Sequence, residues 1–202
     1  MSVITAGNSS YANFFQKFYS SNRTASRAAY RGTFGNAELL SADASALKKI
    51  SKNLQDLSYD KDNGEEIYQN IKAFTETYNN LLSSAGKITD GALERTLKKV
   101  KNFIKDNQDT FEEIGLKVSS SGKLTLDKED LMECTPKKIG KVFSSSNTIS
   151  STLINYATKL GRMAKPLIQN ESRIKNQKEE EALLDLPVTT SMMSSNKIDF
   201  MA

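Results

Sequence analysis

The stretch FEEIGLKVSSSGKLTLDKEDLMECTPKKIGKVF, residues 111–143, decides the fold, because the period of its apolar residues changes twice within it. Leu116 and Val118 alternate with polar residues, and Leu124 and Leu126 do so again after a Ser-Ser-Ser-Gly sequence. Such a pattern is typical of two short strands joined by a glycine-containing turn. The stretch therefore predicts a β-hairpin.

Two short helices are expected directly after this hairpin. Asp127 stands at an N-cap position, and Glu129 and Asp130 place acidic side chains in the first turn, at the positive end of the helix dipole. Thr135 and Pro136 repeat the signal, with a hydroxyl cap followed by a proline at the first helical position, where its missing N–H costs nothing. The hairpin and its helices form one compact α+β unit.

Three amphipathic helices are expected before this unit. They cover about residues 42–57, about residues 65–85 and a segment that begins after Asp90, each with apolar residues at three- and four-residue steps. The second has a heptad-like seam, which is typical of a helix packed against another helix. We expect this second helix to be central; its seam consists of Ile67, Ile71, Phe74, Tyr78, Leu81 and Ala85.

A further amphipathic helix is expected after residue 148, and a polar segment follows it. Pro166 predicts a kink or an end of this helix close to Lys165. From Glu171 to Glu181, the chain is almost wholly polar, as in a solvent-exposed helix or a coiled-coil helix without its partner. Its few aliphatic side chains, Ile174, Leu183 and Leu184, are candidate partner-binding residues.

The N-terminal segment has a different composition. Residues 1–40 are rich in Ser, Asn, Gly, Thr and Ala, and we expect them to be mostly disordered apart from an aromatic helical patch. In the patch, Phe14 and Phe18, and Phe15 and Tyr19, are four residues apart and would stack on one helical face. Two interpretations are open: a local helix that folds back onto the domain, and a docking segment in which these four residues bind a partner protein.

Together these patterns predict a mainly α fold with a small β-hairpin, arranged as an elongated helical bundle with helical or disordered tails. The helical core domain is expected at residues 41–165, with the hairpin near 116–126. The N-terminal segment precedes it, and a polar helical segment with a disordered tail is expected at residues 166–202.

The chemistry available to the chain is restricted. Histidine is absent from its 202 residues, and Cys134 is the single cysteine. The usual general base, the commonest metal ligand and the ordinary catalytic triads are therefore missing. Asp60, Asp62 and Gly64 resemble half of a calcium loop, but Ile71 falls where the bidentate glutamate should be, so we interpret this loop as an acidic turn. We expect no cofactor, no metal and no enzymatic activity.

Charge and hydropathy give the remaining limits. The net charge is +4, the sequence pI is about 9.0 and the mean hydropathy is −0.50. Arg23, Arg27 and Arg31 are interpreted as a solvated basic stripe, and the lysine-rich helix faces likewise, because they lack the aromatic platforms on which bases stack. Nucleic acid is not expected as a partner. No apolar run is long enough to span a membrane, and the N-terminus does not resemble a Sec signal peptide.

Four motifs, in the same order, resemble the C-terminal region of the flagellar filament cap family, hook-associated protein 2. That family has a Phe-Val-x-x-Tyr-Asn-x-Leu helix, a Leu-x-x-Ile-Gly-Ile strand, a Gly-x-Leu-x-Leu-Asp strand and a helix that ends near Pro-x-x-Val-x-x-Leu-Phe. The matching segments are Phe74 to Leu81, Ile114 to Leu116, Gly122 to Asp127 and Pro136 to Phe143. The resemblance covers about residues 40–165, and the chain lacks the large inserted β-rich domains of that family.

The resemblance implies a structural protein of the bacterial flagellum. Members of that family form an oligomeric plate at the filament tip, bind flagellin and other flagellar components, and leave the cell by type III export without a cleaved signal. For this chain it implies a homo-oligomeric, exported cap-like protein that works in cell motility through helical seams. The alternative is a cytoplasmic adaptor or export partner that binds other proteins through its terminal helices, and weak nucleic-acid binding is a third, less favoured function.

Overall fold

The structure is a computed structural model that describes residues 5–184, with side chains described from residue 10 to residue 181. These residues form a mainly α fold with one two-stranded antiparallel sheet, which confirms the predicted fold class. The α-helices are α1 (Thr5–Gln16), α2 (Asn36–Asp56), α3 (Gly64–Ala85), α4 (Gly91–Asp106), α5 (Gln108–Glu112), α6 (Lys128–Glu133), α7 (Pro136–Phe143) and α8 (Thr148–Leu184). The strands are β1 (Leu116–Val118) and β2 (Leu124–Leu126), and short 3-10 helices cover Lys17–Tyr19, Arg23–Ser26, Ala28–Thr33 and Lys61–Asn63.

Helix α2 is the central element of the core. It packs most extensively against α8 and next against α3. The prediction that α3 is central is therefore wrong. The reason lies in side-chain size: α2 buries several alanines, and at Ala44 the α8 backbone lies near enough that a Cβ added at Gly161 would be in van der Waals contact, 3.6 Å from the Ala44 Cβ. The small buried residues of α2 are Ala37, Ala42, Ala44 and Ala46.

Helix α3 holds the hairpin through its polar side chains as well as its apolar seam. The hydroxyl of Tyr78 donates a 2.8 Å hydrogen bond to the Gly122 carbonyl oxygen. The amide of Asn79 pairs with the Leu124 backbone twice, because its Nδ2 donates to the carbonyl (2.7 Å) and its Oδ1 accepts from the N–H (2.9 Å). Phe74 packs edge-on against Phe143 of α7, with ring centroids 5.2 Å apart. The motif segments Gly122 to Asp127 and Pro136 to Phe143 thus both contact the motif segment on α3.

The hairpin and its helix starts follow the sequence prediction closely. Leu116 pairs with Leu126, and Val118 pairs with Leu124. Gly122 has a φ of +82°, a left-handed conformation that strongly favours glycine, at the end of the turn. The carboxylate of Asp127 accepts a hydrogen bond from the Asp130 N–H (3.2 Å), as expected of an N-cap. The hydroxyl of Thr135 makes no such bond, although Pro136 does begin α7.

Two expectations about the chain ends differ from the structure. Residues 10–35 are not disordered but form short helices packed on α2, so no domain boundary separates them from the core. Of the kink or end predicted close to Lys165, the end is wrong, because helix α8 continues through Pro166 for 37 residues in all. Pro166 is exposed, and so is Arg162, whose carbonyl loses its helical donor and can be hydrated instead. The predicted disordered tail from residue 187 lies outside the described residues.

Candidate docking surface

The aromatic patch of residues 11–19 belongs to the core of the protein. The side chains of Phe15 and Phe18 are 5% exposed, and Tyr19 is fully buried. Phe14 is half-buried and lies edge-on to Phe18, with ring centroids 5.4 Å apart, while Phe15 and Tyr19 lie 5.2 Å apart. The residues that are four apart do meet in pairs, as predicted, but their rings are edge-on or tilted and not stacked. The patch is therefore the local element that folds back onto the domain, and the docking role considered for these four residues is not supported.

A buried polar network fastens this segment to α2. The guanidinium of Arg31 forms a two-pronged pair with the fully buried carboxylate of Asp43, at 2.9 and 2.6 Å. The Tyr19 hydroxyl donates to the Asp43 Oδ1 (2.9 Å) and accepts from the Asn80 amide (3.1 Å). Arg31 also donates to the Ala25 carbonyl at 2.9 Å. The network joins the N-terminal segment, α2 and α3.

The same network moves the pKa values of its members. Burial is the main reason that the pKa of Tyr19 is raised, and the charge of Asp43 adds to it. Burial alone would lower the pKa of Arg31, but the hydrogen bonds and the charge of Asp43 outweigh it and raise that pKa. Arg31 is therefore not part of a solvated basic stripe, whereas Arg23 and Arg27 are exposed.

A signal for this network exists in the sequence. Asp43 lies three and four residues from Leu40, Leu39 and Leu47, on the face that α2 buries. A carboxylate on an apolar helix face needs a cationic or hydrogen-bonding partner, because burying an unpaired charge is costly. The sequence therefore indicates that Asp43 has a partner, but only the path of the folded chain shows that the partners are Arg31 and Tyr19.

A second polar group lies where α1 meets α3. The ammonium of Lys72 sits over the Tyr11 ring, 4.0 Å from its centroid. Burial is the main cause that raises the pKa of the Glu76 carboxyl, against the opposing effects of Tyr11 and Lys72. Burial, together with the charge of Glu76, raises the pKa of the Tyr11 hydroxyl as well. The carboxylate thus sits in a partly desolvated place beside the aromatic patch.

The end of α8 has the opposite character. Every side chain from residue 169 to residue 181 is exposed, and Ile174 is 49% exposed. The last contact with the domain that the hydrogen bonds show is from the Ala37 N–H to the Glu171 carboxylate, at 3.3 Å. We call residues 172–184 the exposed arm. Leu183 and Leu184 belong to its helical backbone, but their side chains lie outside the described residues.

The arrangement offers surfaces and small cavities. Within the described part of the chain, no group of three or more His, Cys, Asp or Glu side chains is placed to hold a metal ion. Cys134, half-buried, directs its thiol at the Glu113 carbonyl, 3.2 Å away, and lines a cavity of about 150 Å³ with Met132 and Pro136. No helix between residues 5 and 184 is both long and apolar enough to cross a membrane.

Comparison with protein-family models, with curated proteins and with solved structures finds no match for this chain. The function is therefore inferred from the residues of this chain alone, above all from the buried aromatic patch and the exposed arm.

Proposed function

We propose that this protein is a structural, non-enzymatic protein of the flagellar filament-cap type that acts by assembly with other proteins. The observation that carries the proposal is the exposed arm, a helix that leaves the domain and presents Ile174 to solvent without a partner among the described residues. A helix that is polar on all sides gains little from its own domain and is typical of a segment that is stabilised by a partner.

The motif segments give further support. Helix α3, which carries the motif residues Phe74, Tyr78 and Asn79, contacts the hairpin and α7 directly, so the residues that resemble the cap family have a shared structural role. We infer that this unit is the rigid body and that the arm is the part that assembles. Flagellin and other flagellar components are the proposed partners, and export to the flagellum is the proposed destination.

The test is capture of purified flagellin and hook-associated proteins by the full chain and by a chain that ends at Glu171. We expect the full chain to retain partners and the shortened chain to lose them while its thermal unfolding is unchanged. Ile174→Asp should weaken capture, and Met132→Asp is the matched control, since Met132 is similarly exposed (51%) but lies on α6. Equal capture by the full and shortened chains would contradict the proposal.

Cell fractionation separates this function from that of a cytoplasmic adaptor. A cap-like protein should appear in the medium or on filaments, in an amount that depends on the flagellar export apparatus. Retention of all the protein in the cytoplasm, together with capture of partners through the arm, would support the adaptor instead.

A further inference from the structure

A basic groove runs between α4 and α8. The two helices pack antiparallel there, since Phe103 of α4 meets Tyr156 of α8 (ring centroids 6.1 Å apart) at one end. The groove next to this pair has a volume of about 200 Å³. Its lining is basic at the rim and apolar or small at the base: Arg95, Lys99 and Lys159, with Ala92, Thr96 and Met163.

Among the residues that the structure describes, no ion pair neutralises the charge of the groove. Arg95, Lys99 and Lys159 are all exposed, and none of them forms an ion pair with another described residue. No Asp or Glu is among the described residues that line the groove. Three cations beside a half-buried aromatic pair form a surface that fits an acidic segment with some apolar character.

The exposed arm carries a segment of this kind. Glu179, Glu180 and Glu181 are consecutive and exposed, and Ala-Leu-Leu-Asp follows them in the sequence. Glu179 lies 3.8 Å from Lys175, whereas Glu180 and Glu181 form no ion pair among the described residues. The acidic end of the arm thus complements the groove in charge.

The two surfaces cannot meet within one molecule. Lys159 and Glu180 belong to the same continuous helix, and at about 1.5 Å per residue the helix holds them roughly 30 Å apart. Only a second molecule can bring an arm to the groove. A contact between two different patches of identical chains is heterologous, so it generates a ring if the rotation closes and a filament if it does not.

We propose that the acidic end of the arm of one copy, residues 179–181, docks in the basic groove between α4 and α8 of a second copy. The inference rests on the proposed function, because it names the self-assembling partner of the arm. The arm lies along α4 and α8 as a third helix that brings its acidic end beside Arg95, Lys99 and Lys159, and the aromatic pair closes one end of the site.

Sedimentation velocity of the full chain at about 0.05 M and about 0.5 M salt tests this contact, because salt screens charge pairs at the protein surface. We expect wild-type oligomers at low salt that dissociate toward the 22.4 kDa monomer at high salt. Two triple variants reverse the charges: the groove variant is Arg95→Glu/Lys99→Glu/Lys159→Glu, and the arm variant is Glu179→Lys/Glu180→Lys/Glu181→Lys. Each should self-associate at least about tenfold more weakly than the wild type, as expected from the loss of several exposed charge pairs.

Mixing the two variants is the decisive step of the experiment. The groove variant retains a wild-type arm and the arm variant retains a wild-type groove, so the mixture should associate more strongly than either variant alone. The matched control is Lys52→Glu/Lys137→Glu/Lys141→Glu, which changes the charge by the same amount at exposed residues outside the groove and should associate like the wild type. Circular dichroism checks that all variants remain folded.

Three results would overturn the inference: a wild-type chain that stays monomeric at low salt, a groove variant that associates normally, or a mixture that does not associate. A monomeric wild-type chain that still captures flagellar proteins would remove this contact and leave the proposed function standing. Binding of a labelled DNA duplex by the monomer, lost in the groove variant and kept in the arm variant, would assign the groove to nucleic acid instead and would also overturn it.

Discussion

The segment before α2 and the exposed arm at the end of α8 differ in what their apolar side chains contact. Phe15, Phe18 and Tyr19 lie within five residues of one another and are buried in the core, whereas Ile174 is 49% exposed on a helix whose last hydrogen bond to the domain is at Glu171. Burying an aromatic or aliphatic side chain is worth about 1.5–3 kcal/mol, which must exceed the entropy lost on ordering the chain. Four aromatic side chains achieve this for a short segment, and one isoleucine among the nine polar residues of 172–181 does not.

The apolar content of a segment near a chain end decides whether it packs on its own domain or stays exposed. A dense apolar cluster near a chain end is used first by the chain itself, and its buried polar network then fixes it in place. A sparse helix of mixed charge remains available to other molecules. Four substitutions test this contrast, beginning with the largest expected effect.

Asp43→Ala should be the most damaging change in the N-terminal half. It leaves the guanidinium of Arg31 and the hydroxyl of Tyr19 without their partner, and removal of one member of a buried ion pair costs about 3–5 kcal/mol. Urea unfolding measures the loss in the free energy of unfolding. Asp56→Ala, at the exposed end of the same helix, is the control, and an equal effect of both changes would show that the network does not fasten the segment.

Phe18→Ala should destabilise the protein by about 3 kcal/mol, toward the lower end of the range for a buried phenylalanine, because it lies at the edge of the core. Phe14→Ala, four residues earlier and half-buried, should cost clearly less. Thermal and urea unfolding of the two variants measures the difference. If neither variant loses stability, the aromatic patch is not part of the core.

Glu76→Gln tests the polar group beside the patch through its pH dependence. Because the folded protein raises the pKa of Glu76 above its ordinary value of 4.5, the folded state binds the proton more readily than the unfolded state. The contribution of Glu76 to stability therefore increases as the pH falls from 7 through the raised pKa toward 4.5. Relative to Glu76→Gln, the wild type should be more stable near pH 5 than at pH 7; Glu180→Gln in the exposed arm is the control, and a difference that does not vary with pH would contradict the account.

Ile174→Ala should have the smallest effect on the isolated domain. An exposed side chain with no contact to the core contributes within about ±0.5 kcal/mol. Ile50→Ala, at a fully buried position on α2, is the same chemical change and should cost about 2–5 kcal/mol. Comparable losses in the two variants would show that the arm folds onto the domain.

The sequence predicts the local elements of the fold well. The alternating residues of 116–126, the N-cap at Asp127 and the apolar steps of α3 are local patterns, and each appears in the structure. The choice of α2 over α3 as the central helix could not be predicted in the same way, because it depends on how closely α8 approaches the alanines of α2. Close approach is a property of two surfaces, and each helix pattern describes only one.

The candidate docking residues also differ in whether their exposure depends on neighbouring or on distant residues. The exposure of Ile174 follows from its polar neighbours in the sequence. The burial of Tyr19 depends on Asp43, Arg31 and Asn80, which lie 12 to 61 residues away from it. The basic groove brings residues of α4 together with residues about 60 positions later, so a helix pattern alone shows only two separate lysine faces.

Hydrogen exchange of the full chain, alone and in its assembled form, tests the central claim most directly. We expect amides of residues 15–31 to exchange slowly in both forms, because the buried network holds them, and amides of residues 172–181 to exchange rapidly in the isolated chain and to become protected on assembly. Protection that appears at residues 14–19 on assembly, with residues 172–181 unchanged, would contradict the account.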